Sequence, residues 1–442
     1  MKLKLKENHM KTTKRLISAL LAALLTLTLA ACNKDDPGVN IPASQSGSDD
    51  FQKNMHQSTT SDIRNVTETN DGIYVQYDAF GYYIDKATKN ITILCGKPKC
   101  EHNELTCNAW IYAYSLWFAG DKLYFTNSDS IMENGRYIDY GLRLYSVDPD
   151  GTNRSVVQKL QFTPSGDTSS WVPQPIQHRG IVYFPYSGIL YAMPLGGDIE
   201  KDAVAIWGEK SEGDGMSFNL SAPAYTLWAD GDFMYFMVTN MAQSDGTRKE
   251  MLFAYDTRDK SVKQVWQVPD ADEVGEWTTT GVSVSQWYVI DGYIYFYLSG
   301  GDFWRSDLES GKTEKLADTH EKTKYGKAVF SDNYLCLLNS TPEDLGGTSY
   351  SIVGGQKYIG GDTIYVYDLD GKFIKEVSLN PLYQEIEGIT KCDLVFCSGS
   401  EIYFMADAST KVWSGNVGTM DWNLVLCCVN IETGAITQIF NW

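Results

Sequence analysis

The chain predicts an all-β fold, a β-propeller of seven four-stranded blades, preceded by an export signal and a flexible tether. Three observations lead there. A turn followed by an apolar run recurs seven times along the sequence. No stretch beyond residue 31 has sustained helical periodicity. The first 58 residues are set apart, being one short apolar run and one polar stretch.

The N-terminal part comes first in order. Lys11, Lys14 and Arg15 precede the apolar run 16–31, which is too short and Ala-rich for a membrane span but has the layout of a secretory signal. Met10 offers a second possible start. The run ends in "LAAC", which resembles the lipobox of bacterial lipoproteins. That resemblance implies cleavage after residue 31 and lipid on Cys32. An ordinary signal with a nearby cysteine is the alternative. Two acyl chains hold a protein stably where one is marginal, because each buried methylene contributes about 0.8 kcal/mol. Residues 32–58 then form the lipidated Cys32 and its tether. The polar tether residues, 33–58, have a random-coil span of about 28 Å, enough to lift a domain from a bilayer. The expected location is the outer face of the cytoplasmic membrane, as on a Gram-positive cell surface. The formal charge is −19, and removing residues 1–31 (six Lys/Arg, one acid) makes it −24. Such a surface repels nucleic acid and anionic lipid.

Residues 59–442 carry the repeat. Its copies are "NDGIYVQY" at 70, "AGDKLYFT" at 119, "HRGIVYFP" at 178, "ADGDFMYFM" at 229, "IDGYIYFYL" at 290, "SDNYLCLL" at 331 and "SGSEIYFM" at 398. A second strand follows each, as in "MLFAYDTRDKS" and "TIYVYDLDGK". Tyr, Phe, Val and Ile favour strands, and near-continuous apolar runs suit strands covered on both faces. Asp-Gly, Asn-Asp and Thr-Gly mark the reversals. Such units bury their faces only against neighbours, which favours a closed radial array over two β-sandwiches. The count is seven, with six or eight compatible with the spacing. Ring closure is left open: the blades pack face to face, or "SDIRNVTE" joins the last blade. "DPDGTN" at 148 and "DLDGK" at 368 look superficially like calcium loops, but they fall where hairpin turns are required.

Connections between the two middle strands are short in the third and fifth units and long in the second, fourth, sixth and seventh. A propeller gathers these connections on one face, where binding is usually built. Tyr350, Trp413 and Trp422 lie in them and are the candidate ligand-binding residues, suited to stacking on sugars or partner side chains.

The segment "ILCGKPKCEHNELTCNAW" brings Cys95, Cys100, His102 and Cys107 within thirteen residues. It follows the last strand of the first unit, so it reads as an insertion at a blade boundary, on a face of the ring. Within a chain of repeated DG-x-h-YF strands, the match at Cys95, Pro98, Cys100, His102, Cys107, Asn108 and Ala109 resembles a family of propeller lipoproteins from anaerobic Gram-positive gut bacteria. The resemblance is close over this segment and loose over the mature chain. It implies architecture and location, and no reaction. Three thiolates and an imidazole make a complete tetrahedral zinc set, although C-x4-C-x-H-x4-C is not a common zinc spacing. Structural zinc can contribute about 10–16 kcal/mol to folding, whereas a Cys95–Cys100 disulfide would contribute about 2 kcal/mol and leave Cys107 over. A closed structural zinc site, a disulfide with a spare thiol, and reduced thiols all remain open. Cys336, Cys392, Cys397, Cys427 and Cys428 lie in apolar strands. Adjacent Cys427 and Cys428 must face opposite ways, so both read as small core residues.

Catalytic motifs are scarce. There is no G-x-S-x-G elbow, no H-E-x-x-H and no phosphate-binding loop. Beyond residue 31 the histidines are His56, His102, His178 and His320, with His178 and His320 read as ordinary surface residues. Two functions follow. The first is a monomeric, non-catalytic module that binds a protein, peptide or glycan. The second is a carbohydrate-active hydrolase or lyase on the same ring, suggested by 28 Tyr, 17 Phe and 12 Trp.

Overall fold

Each apolar run becomes a strand because its side chains fill both faces while an Asp, Asn or Gly turn reverses the chain. In the first unit Ile63–Glu68, Gly72–Tyr77, Phe80–Asp85 and Ile91–Ile93 pair in sequence order, all antiparallel. Six more sheets repeat that order over 113–159, 176–207, 227–267, 284–318, 327–378 and 391–441. The protein is a seven-bladed β-propeller with four-stranded antiparallel blades. The computed structural model describes residues 55–57, 63–97, 99–102, 107–111, 113–133, 136–160, 162, 175–186, 189–208, 216–218, 227–240, 249–269, 284–298, 301–319, 327–342, 351–353, 356–389, 391–408, 410–414, 417–421 and 423–441. Among these, no helix is long and apolar enough to cross a membrane.

The second or third strands Gly72–Tyr77, Ile181–Tyr186, Tyr293–Leu298 and Leu424–Asn430 are each buried on both faces but for one terminal residue. Fully burying such a side chain stabilises by about 1.5–3 kcal/mol. The outermost strands Ser155–Lys159, Val262–Gln267 and Ile436–Asn441 are largely exposed or half-buried, and the exposed Lys159, Lys263 and Gln438 discourage edge pairing. Met55–Gln57 adds a short strand beside Asn65–Thr67, within the segment read from sequence as tether.

Blades meet through packed faces. Val66, Ile73, Val75 and Ile84 of blade 1 share a buried cluster with Val395, Phe396, Tyr403, Leu426 and Cys428 of blade 7. The ring therefore closes by packing of blade faces and not by strand exchange, and Ile63–Glu68 stays in its own blade. A polar latch accompanies the closure. Lys89 Nζ donates to Glu401 Oε2 at 2.5 Å and to Tyr403 OH at 3.2 Å, and Ser398 donates to Glu68 Oε2. Cys427 faces the blade 6–7 cluster and Cys428 the blade 7–1 cluster, as their adjacency requires. Cys336, Cys392 and Cys397 are buried in the blade 6–7 cluster as well.

The turns joining third and fourth strands share one device. Asp85, Asp256, Asp307 and Asp368 accept backbone N–H bonds from residues two to four positions on. "DPDGTN" and "DLDGK" are hairpin turns of this class, closed by Gly151 N–H to Asp148 O and Gly371 N–H to Asp368 O.

Because successive strands alternate in direction, all second-to-third connections emerge at one face. The long ones are built partly as hairpins. Lys122–Glu133 and Arg136–Val147 extend beyond their blade, Ser351–Val353 pairs with the start of Gln356–Asp368, and Thr410–Ser414 pairs with Val417–Asp421. Those of blades 3 and 5 are short.

Two features depart from the sequence reading. His178 is buried, not on the surface: the inner strand of blade 3 carries it under the next blade, where its Nε2 bonds Gly231 O at 2.8 Å. Among the described residues two short helices occur, Ile199–Asp202 and Asn380–Glu385, the second opened by Pro381 in its first turn.

Candidate metal centre

The Cys/His segment interrupts a strand. Leu94 N–H donates to Gly81 O, and Gly81 N–H donates to Ala109 O, while Phe80 bridges Trp110. The outer strand of blade 1 thus leaves its sheet after Leu94 and resumes at Ala109, with 95–108 looped out. The loop sits on the outer rim, against the turn joining the third and fourth strands of blade 2. That turn lies at the opposite end of the Arg136–Val147 strand from the long hairpin tip. The physical reason is pairing: residues 109–111 complete the edge of Phe80–Asp85 instead of crossing directly to the next blade.

Local conformation bends the loop around its ligands. Lys99 and His102 have φ of 62° and 54°, and Cys100 N–H reaches back to Lys97 O at 3.4 Å. A left-handed conformation costs a non-glycine residue about 1–2 kcal/mol, so two within four positions persist only where the surroundings enforce them. The result gathers all four predicted ligands: one donor atom each from Cys95, Cys100, His102 and Cys107, all within 4.8 Å of one another. His102 Nδ1 lies 3.4 Å from Cys107 Sγ. Zinc bonded to sulfur at about 2.3 Å and to nitrogen at about 2.0 Å would set that edge near 3.5 Å.

Cys107 is buried, and the other three ligands are half-buried. Burial pushes the Cys95 thiol up, yet the N–H groups of Lys97 and Asn108 and the neighbouring Cys107 and Cys100 thiols outweigh it and hold Cys95 below the ordinary thiol value. Burial pushes Cys107 up to about 12, opposed by the Ala109 N–H. The N–H bonds thus favour the thiolate at Cys95, while at Cys107 burial outweighs the one N–H that would favour it. The eight described cysteines are all free thiols.

This Cys3His cluster could hold a metal ion. Four protein ligands fill a tetrahedron, which supports a structural ion and leaves no coordination position for a substrate.

A shell from blade 2 surrounds the loop. Gly96 N–H and Asn108 Nδ2 both donate to Gly151 O, at 3.1 and 2.6 Å. Arg154 Nη1 donates to Cys107 O at 2.8 Å, with its guanidinium over the Phe125 and Tyr145 rings. Sequence reasoning missed Gly151 and Arg154 as parts of this site, since no local pattern ties them to ligands more than forty positions away. Of the other candidates, Cys32, Tyr350 and Trp422 lie outside the described residues. Trp413 lies in the Thr410–Ser414 hairpin, opposite Gly418.

No protein-family model matches the chain, and no curated protein is similar to it in sequence. Three solved structures show a weak likeness of fold. The europium-containing methanol dehydrogenase has a TM-score of 0.40 at 11% identity, over 88% of this chain and 79% of that one. The computationally designed Ika8 protein has 0.36 at 10% identity, over 90% and 98%. BamB from Moraxella catarrhalis has 0.35 at 14% identity, over 79% and 96%.

Proposed function

We propose that this chain is an exported lipoprotein, held by lipid on Cys32 at the outer face of the cytoplasmic membrane. Its propeller acts as a monomeric, non-catalytic module that binds a protein, peptide or glycan through the face of long connections. Its Cys3His cluster carries one structural zinc ion. The reading rests on one observation above all: the second and third strands of every blade run so that their connections, long in sequence in blades 2, 4, 6 and 7, leave from one face, and the ligand set stands at the other end of the strands. A rigid ring that spends its irregular chain on one side is arranged for recognition.

The test is an array of glycans and peptides probed with the full chain. The expected result is capture of one ligand class, lost when the connections of blades 6 and 7 are shortened and retained in Cys100→Ser. Turnover of a glycan, abolished by a single Asp or Glu change, would replace this reading with the carbohydrate-active one.

A further inference from the structure

The metal ligands all come from blade 1, but the groups that shape their loop come from blade 2. We propose that the Cys3His centre is a joint between these blades, in which Gly151 and Arg154 act as positioning residues and metal affinity is coupled to the docking of the 148–154 turn. This rests on the metal reading above.

Four observations carry it. Gly151 O collects two donors that bracket the ligand loop, Gly96 N–H just after Cys95 and Asn108 Nδ2 just after Cys107. One blade 2 carbonyl therefore ties the entry and exit of the loop together. Arg154 fixes the carbonyl of Cys107 itself. The approach is tight from both sides: a Cβ on Gly151 would lie 2.6 Å from Leu94 C and Cys95 N, and one on Gly96 would lie 2.3 Å from Thr152 Cγ2. Finally, Cys107 is 1% exposed and packs in one cluster with Leu123, Phe125 and Val147 of blade 2. Its sulfur cannot hold its place unless that blade is seated. Groups that orient metal ligands from outside the coordination shell typically contribute 10–100-fold in affinity. Coupling is reciprocal, so a turn that raises metal affinity must be stabilised by the metal to the same degree.

The experiment uses the full chain purified in detergent. Zinc affinity is measured by competition with a chromophoric chelator for wild type, Arg154→Met and Asn108→Ala. Arg154→Met keeps much of the apolar stem over Phe125 and Tyr145 and removes the donor. Each variant is expected to bind one zinc with affinity 10–100-fold below wild type. Hydrogen exchange on wild type, which needs no variant to fold, gives the second readout. Removing zinc is expected to speed exchange at the amides of 148–154 as well as 95–108. Wild-type affinity in both variants, with exchange changes confined to 95–108, would overturn the joint while leaving the zinc site standing. A wild-type chain that binds no zinc would overturn the metal reading itself, and the joint with it.

Discussion

Replacing Gly151 with alanine isolates the contact between the cysteine loop and blade 2, and Gly180→Ala is its control. Both glycines have left-handed backbone, with φ of 78° and 77°. Alanine therefore costs each about 1 kcal/mol of backbone strain. At Gly180 a Cβ meets nothing within 4 Å, so the loss should stop there. At Gly151 the Cβ would stand 2.6 Å from backbone atoms of Leu94 and Cys95, and restoring ordinary contact needs a separation of roughly 0.8 Å. That movement breaks the Gly96 and Asn108 bonds to Gly151 O, each worth about 1 kcal/mol net. The expected loss is about 3 kcal/mol for Gly151→Ala against about 1 kcal/mol for Gly180→Ala. Urea unfolding followed by tryptophan fluorescence, under identical metal conditions, reads the difference as a shift in midpoint. Equal losses in the two variants would refute the reasoning, because the close approach would then carry no energy.

Acid should loosen the blade turns. The Arg258 guanidinium holds the Asp256 carboxyl at about 2, and Asp85, Asp148 and Asp307 are held below the usual carboxylate range by the Thr88 N–H, the Lys122 ammonium and the Ser310 N–H. Lowered folded values mean that this contribution is complete above about pH 4 and is lost as pH falls towards 2. Asp256→Asn should flatten the dependence of stability on pH in that window, measured by urea midpoints; an unchanged slope would remove Asp256 from the account. At the ring closure, Lys89→Met removes a partly buried ion pair with Glu401, whose side chain is 26% exposed beside the 17% of Lys89. A double-mutant cycle with Glu401→Gln should give a coupling of about 1 kcal/mol that weakens in salt. Zero coupling would mean that face packing alone closes the ring.

Much of the fold was legible because its unit is local. A turn residue, an apolar run and a second turn specify two strands without reference to anything distant, and seven repetitions specify a ring. The opposite burial of Cys427 and Cys428 follows from strand geometry alone, and the structure places them in two different blade interfaces. The ligand set was equally local, since its four donors lie within thirteen residues. What escaped depends on partners far along the chain. Ala109 resumes the outer strand only because Gly81 offers it an N–H, and that pairing sets the loop against the turn of blade 2. The burial of His178 depends on Gly231, in the next blade. Gly151 looked like any hairpin glycine, and only the approach of Leu94 and Cys95 gives it a second duty. The helix Asn380–Glu385 had a signal in its first-turn Pro381 and in Gly388 beyond its end, but six residues are too few for a visible period.

The zinc content of the purified chain, read together with its thiols after unfolding, bears most directly on the cluster at the centre of this account. Of nine cysteines, lipid on Cys32 would leave eight to titrate. The expected result is one zinc per chain and eight thiols once the metal is chelated. No metal above background, with two thiols missing, would contradict the account and make the cluster a disulfide with a spare thiol.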